Sequence, residues 1–381
     1  MNVLAARSYG LLIIIILLLT PTIVTPQISS SDSATVYRLK TTAVYLFQEH
    51  RYEEAILCFD SVLKLLPGNR AAHMGIAEGL FHLGNYNYAL NHLNRLLDVN
   101  ANDTDVVFKK VLVLLKMENF KKALPEIDHY IKLRPTDPEG WYYKGYCQKN
   151  EATHSSGNWG DQSNYKKAIK SLNNAVELAG GSHYKSFVVL GNIYKNMNDL
   201  PAAVVYYEKA ITADSSEGLP YINLGDVKLK QKDTATALVF FNRAMEIDPY
   251  NENNLSVVNS HLLKLGMIEK VTMQTEALLV NDSTSLSGLL AMGALLLREK
   301  KYREALSFFN KAIDYHPGSS PAYYYRGITR ICLEEKKQGR KDIEQAAEMG
   351  NVMAKHFIET NPGNLRNWLP TLYNVLRMFS Y

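Results

Sequence analysis

The sequence predicts an all-α fold, a solenoid of antiparallel helix pairs. Three observations predict it. Small residues return every 34 positions, two stripes of helical period fill each interval, and prolines close the second stripe.

The register runs through a small residue followed four positions later by an aromatic or aliphatic one. Ala55 precedes Phe59, Ala89 precedes Leu93, and Ala123 precedes Ile127, at intervals of 34. Ala168 comes 45 later, which is 34 plus an 11-residue insertion, and Ala203 follows at 35. Ala237, Val271, Ala305 and Gly339 then continue at 34 each, so nine units are expected over residues 36–354.

Within a unit the apolar residues fall into two helical stripes. Tyr221, Leu224 and Gly225 stand at i, i+3 and i+4, and Ala237, Phe241 and Ala244 at i, i+4 and i+7. Leu289, Met292, Gly293 and Leu296 form one stripe of a later unit, with Ala305, Phe309 and Ala312 as its partner. Two helices approach closely only where a side chain is minimal, so Gly225 and Gly293 are expected beside Ala237 and Ala305. Pro67, Pro135, Pro249 and Pro317 follow second stripes, where proline cannot continue a helix. The unit at about 252–285 departs most, because Val271 and Thr275 replace its small and aromatic residues and no proline follows.

A 34-residue period with Phe187, Leu190-Gly191, Tyr194, Ala203, Tyr207 and Ala210 resembles the tetratricopeptide repeat. The resemblance implies a right-handed superhelical solenoid whose first helices line a concave groove. It also implies a protein or peptide partner in that groove, since no single unit buries its own apolar face and stacking leaves a long surface open.

On that expectation Tyr142 and Tyr146 would face the groove, as would Tyr324 at the matching place of the ninth unit. Aromatic rings bury much area at small entropic cost, so these are candidate partner-binding residues. Trp141 and Tyr323 occupy the family's packing position and are expected between helices. Some relatives grip a carboxylate with paired Lys and Asn. Here Asn192 and Asn223 match two such positions, but Val188 stands where the lysine belongs and Asn253 and Val257 replace the next cationic pair. The clamp is therefore incomplete, leaving Asn192 and Asn223 either as contacts to a peptide backbone or as solvated side chains. The insertion at about 151–164 carries Trp159 among Ser, Gly and Asp, a loop that either presents the ring to a partner or tucks it against its own unit.

The ends carry other signals. Arg7 precedes the apolar run Leu11–Leu19, so residues 1–26 read as a secretory signal peptide or, if uncleaved, as a membrane anchor. Residues 27–35 are rich in serine and are expected to be a linker. Residues 355–381 are expected to be capping helices, with Leu365, Trp368, Leu369, Leu372 and Leu376 on one face over the open end.

Composition removes several functions. The 42 basic and 38 acidic residues leave a net charge of +4 without a basic stripe, so no nucleic-acid binding is expected. Cys58, Cys147 and Cys332 lie far apart and form neither a disulfide framework nor a zinc pair. No phosphate-binding loop, zinc-protease motif or nucleophile elbow is present, so no catalytic residue, metal or cofactor is expected. The expectation is an exported, periplasmic or extracytoplasmic scaffold in an envelope assembly. A holdase for exported chains is the alternative.

Overall fold

The computed structural model describes residues 29–154 and 162–360. Among the described residues there are 19 helices and no strand, giving an all-α solenoid of helix pairs joined by short turns. The apolar segment at 1–26, Trp159 and the amphipathic tail from Leu365 onward lie outside the described residues. Among the described residues no helix is long and apolar enough to cross a membrane.

The chain divides into two compact units between Tyr206 and Tyr207. The first holds α1 (Ser30–Gln48), α2 (Tyr52–Leu65), α3 (Arg70–His82), α4 (Tyr86–Val99) and α5 (Thr104–Lys116). It continues with α6 (Phe120–Leu133), α7 (Pro138–His154), α8 (Gln162–Leu178), α9 (Tyr184–Asn196) and the start of α10 (Leu200–Ala213). The second holds α11 (Leu219–Lys230), α12 (Thr234–Ile247), α13 (Glu252–Lys264), α14 (Ile268–Asn281) and α15 (Leu286–Arg298). It closes with α16 (Tyr302–Tyr315), α17 (Ser320–Cys332), α18 (Lys336–Glu348) and α19 (Val352–Thr360).

The start of α1 corrects one expectation. The serine-rich stretch is not a linker through residue 35, because Ser29 caps the helix and Ser30 begins it. Ser29 Oγ accepts from the Asp32 backbone N–H at 3.1 Å and donates to the Asp32 carboxylate at 2.6 Å. That exchange satisfies an end N–H that a helix otherwise leaves unpaired. The insertion likewise acts by extending α7 to His154 and opening α8 at Gln162.

The recurring small residues are fully buried: Ala55, Ala89, Ala123 and Ala168 in the first unit, Ala237 and Ala305 in the second. Phe59, Leu93, Ile127 and Leu172, then Phe241 and Phe309, are buried one helical turn later. The glycine requirement is steric. A Cβ at Gly293 would stand 2.6 Å from the Phe309 ring, and one at Gly225 would overlap Phe241. No methyl group fits at either crossing.

The turns carry the same period independently of the core. His50, Gly84 and Glu118 have positive φ at intervals of 34, as do Asn198, Lys232, Gly266, Lys300 and Glu334. Each ends the first helix of a pair, and the following N–H groups return to its last carbonyls, as Lys300 N to Leu297 O at 3.1 Å and Lys301 N to Leu296 O at 2.9 Å.

Candidate functional site

Two places concentrate chemistry, one in each unit. In the first, α7 begins where Asp137 accepts the Glu139 backbone N–H at 3.0 Å and also the Tyr130 hydroxyl. Trp141 packs on its own unit, with its indole N–H donating to the Pro135 carbonyl at 3.2 Å and the Lys144 ammonium 5.5 Å from its ring.

Tyr142 and Tyr146 are brought together on α7, with ring centroids 6.3 Å apart. Tyr142 is half-buried, 4.9 Å from Tyr143 and 5.6 Å from His183, with the Lys185 ammonium 5.7 Å over its ring. Burial, with Tyr143 and Tyr146 adding to it, pushes the Tyr142 phenol well above its ordinary value, so its hydroxyl remains a donor. Lys185 donates to both Glu139 carboxylate oxygens at 3.0 and 3.1 Å, and the His183 ring stands 3.5 Å from the same group. Burial would raise Glu139, but His183 and Lys185 together hold it below its usual value. Tyr146 turns its edge to Phe120 at 6.2 Å and packs on the cluster containing Ile127 and Cys147. The pair is thus a preassembled aromatic and ionic pad, not two freely projecting rings.

The other sequence candidates fall elsewhere. Tyr324 is corrected: at 2% exposure it is a core residue, clustered with Phe309, Ala354 and Phe357, and burial pushes its phenol up to about 12. The last described helix reaches this side of α17, which a sequence register alone does not show. Asn192 is half-buried on α9 and Asn223 is nine-tenths buried on α11, and both already make contacts of their own. Neither is a solvated surface amide.

A histidine pair, a buried His73 and a half-buried His92, also sits in the first unit. His73 Nε2 stands 3.0 Å from the Pro67 carbonyl, and His73 Nδ1 lies 2.9 Å from His92 Nδ1. With Nε2–H donating to Pro67, His73 Nδ1 is an acceptor and His92 Nδ1–H donates to it. Burial lowers both below the ordinary 6.5; the Pro67 carbonyl opposes this for His73, the His73 charge adds to it for His92, Arg95 lowers both further, and Asp60 raises both. A base whose folded value is depressed costs no stability above 6.5 and loses stability as pH falls through that value. The melting temperature of the full chain should therefore be lower at pH 5.5 than at 7.5. His92→Gln should shrink that difference, as circular dichroism melts will show.

The second place carries no motif that marks it in the sequence. A cavity of about 490 Å³ opens among α13, α14 and α15 in the second unit, with Pro321 and Tyr325 of α17 at its edge. Asn259 and Thr275 line it. The register places Asn259 34 residues after Gly225 and 34 before Gly293, and Thr275 where Phe241 and Phe309 stand. The crossing that elsewhere pairs glycine with phenylalanine here pairs asparagine with threonine. Lost ring volume is only partly replaced, which opens the cavity. Thr275 Oγ1 donates to the Val271 carbonyl at 2.8 Å, whereas Asn259 Oδ1, on a residue 6% exposed, has no hydrogen-bond partner. Arg298 Nη1 on the same wall has none either. The signal that could have found this place is the glycine-to-asparagine exchange at that register.

Comparison with known proteins agrees with this architecture. Family models described as tetratricopeptide repeat match residues 46–107, 184–217, 220–251 and 288–319. The TPR repeat-containing protein MJ1428 of Methanocaldococcus jannaschii is 22% identical over 312 residues, covering 82% of this chain and 44% of that protein. Anaphase-promoting complex subunit 3 of Schizosaccharomyces pombe is 23% identical over 325 residues, covering 83% of this chain and 41% of that protein. The chain spans less than half the length of these two relatives. The solved structure of TTC0263, a thermophilic TPR protein of Thermus thermophilus, is similar at 17% identity and a TM-score of 0.44, over 51% of this chain and 99% of that one. The chain carries tetratricopeptide repeats, a repeat type that mediates protein–protein interactions.

Proposed function

We propose that the chain is an exported scaffold of nine such repeats that holds a protein or peptide partner on its first helices and performs no catalysis of its own. The observation that carries this reading is the pad on α7 and α9. Tyr142, Tyr146, Lys185 and Glu139 form a fixed aromatic and charged surface. Prepacked aromatics of this kind lose little entropy when a partner covers them.

Site-directed photocrosslinking tests the reading. A photoreactive residue in place of Lys185, whose side chain is 49% exposed, should give discrete adducts in extracts of the native host. One in place of Leu57, 64% exposed on a second helix, should not. Tyr142→Ala should reduce the adducts several-fold, with circular dichroism confirming that the helices persist. Equal adducts at both positions, or none at either, would count against the scaffold.

Export rests on the apolar segment at 1–26. Residues 1–35 fused to alkaline phosphatase should deliver an active reporter outside the cytoplasm. An inactive reporter removes the extracytoplasmic setting and leaves the scaffold reading intact.

A further inference from the structure

We infer that the cavity of the second unit receives a short extended peptide segment in which an acidic side chain stands between aliphatic ones. The inference rests on the scaffold reading and gives it a partner chemistry, though at a different place from the α7 pad.

Four features of the cavity converge on that occupant. Its volume, about 490 Å³, lies in the range of sites that enclose small ligands, too small for a folded element. Its lining includes two cations, Lys264 and Arg298, and no carboxylate. Arg298 has no ion-pair or hydrogen-bond partner among the described residues, so an arriving carboxylate breaks no existing pair. The rest of the wall is largely aliphatic, with Leu255, Leu263, Leu290 and Leu295 prominent.

Asn259 decides between occupants. Its Oδ1 is a buried acceptor without a partner, and leaving such an atom unpaired costs about as much as a good hydrogen bond gains. A fatty acid would satisfy Arg298 and the leucines but brings no donor for Asn259. A peptide brings all three at once: a carboxylate for Arg298, a backbone N–H for Asn259, and side chains for the aliphatic wall. The Gly225 and Gly293 crossings have no room for such a guest, because Phe241 and Phe309 fill them. The repeat that departs from its neighbours is therefore the one that gains a site.

The test uses the full chain and a synthetic array of acetyl–X–Glu–X–amide peptides, X being Ala, Val, Leu or Ile, beside identical arrays with Gln or Lys in the centre. Decanoate serves as a soluble fatty-acid probe. At least one Glu peptide should bind roughly tenfold to a hundredfold more tightly than its Gln counterpart, with the Lys version weakest, as expected for one charged hydrogen bond. Arg298→Met should erase the Glu preference while leaving residual binding. Asn259→Leu should weaken Glu and Gln peptides by the same factor.

Binding that does not distinguish Glu from Gln overturns the inference, as does decanoate binding that exceeds every peptide. Absence of peptide binding to the unaltered chain overturns it as well. The Glu-to-Gln comparison changes the peptide and not the protein, so it stands even if a variant fails to fold. Crosslinking at Lys185 is read in the other unit. Adducts there without peptide binding here would reject this site alone.

Discussion

Asp342→Ala should destabilise the second unit by about 3–5 kcal/mol, the cost of leaving a buried charge pair half-made. Asp342 is 5% exposed on α18 and accepts from Arg326 at 2.9 and 2.8 Å and from Arg330 at 2.7 Å. Arg326 also donates to Asn310 at 3.2 Å, which ties α16 to α17 and α18. Removing the carboxylate strands two guanidinium groups beside each other, each largely out of water. The effect should appear in urea unfolding and as faster hydrogen exchange of α17 and α18, with the first unit less affected because repeats feel mainly their neighbours. Replacing Arg326, Arg330 and Asp342 together with Met, Met and Leu should cost much less than the single change. If Asp342→Ala is nearly neutral, the cluster is solvated.

Phe309→Ala is the second large effect, again about 3–5 kcal/mol. The ring is fully buried, lies against Gly293 and stacks 5.7 Å from Tyr325. On the Gly293 side nothing can close the void, because that residue has no side chain to extend. The contrast is with position 275, where threonine already stands in place of the ring and an asparagine faces it. Chemical unfolding of Phe309→Ala, read beside the same change made with Gly293→Leu, checks the argument. A partial recovery in the double variant shows that the loss is a cavity. No recovery shows that the two helices moved apart instead.

The fold is legible because the period is carried mostly by small residues. Ala55, Ala89, Ala123, Ala237 and Ala305 are all fully buried at that register, so the sequence marks these crossings. The candidate site is less legible, for a different reason. Whether a first-helix ring is open or covered depends on what the next helices bring. Tyr142 is half-buried by Tyr143, Tyr146 and His183, and Tyr324 is enclosed in the cluster of Phe309, Ala354 and Phe357, although the two share a register position. The serine stretch misleads because low hydrophobicity suggests extended chain, whereas Ser29 and Asp32 three residues on are also the chemistry of a helix start. Asn259 is visible at its register, but its meaning requires knowing that Thr275 faces the same void.

The turns at the ends of the first helices have a consequence for how such a chain grows. Glycine holds that backbone angle at 84 and 266, yet histidine, glutamate, asparagine and lysine hold it at 50, 118, 198, 232, 300 and 334. A side chain there costs of order 1 kcal/mol, and the flanking helices impose the conformation regardless. Joints dictated by the rods they connect need no tailored residue of their own. A gene segment encoding 34 residues can therefore be copied or excised in frame, and each new junction inherits a working hinge without further mutation.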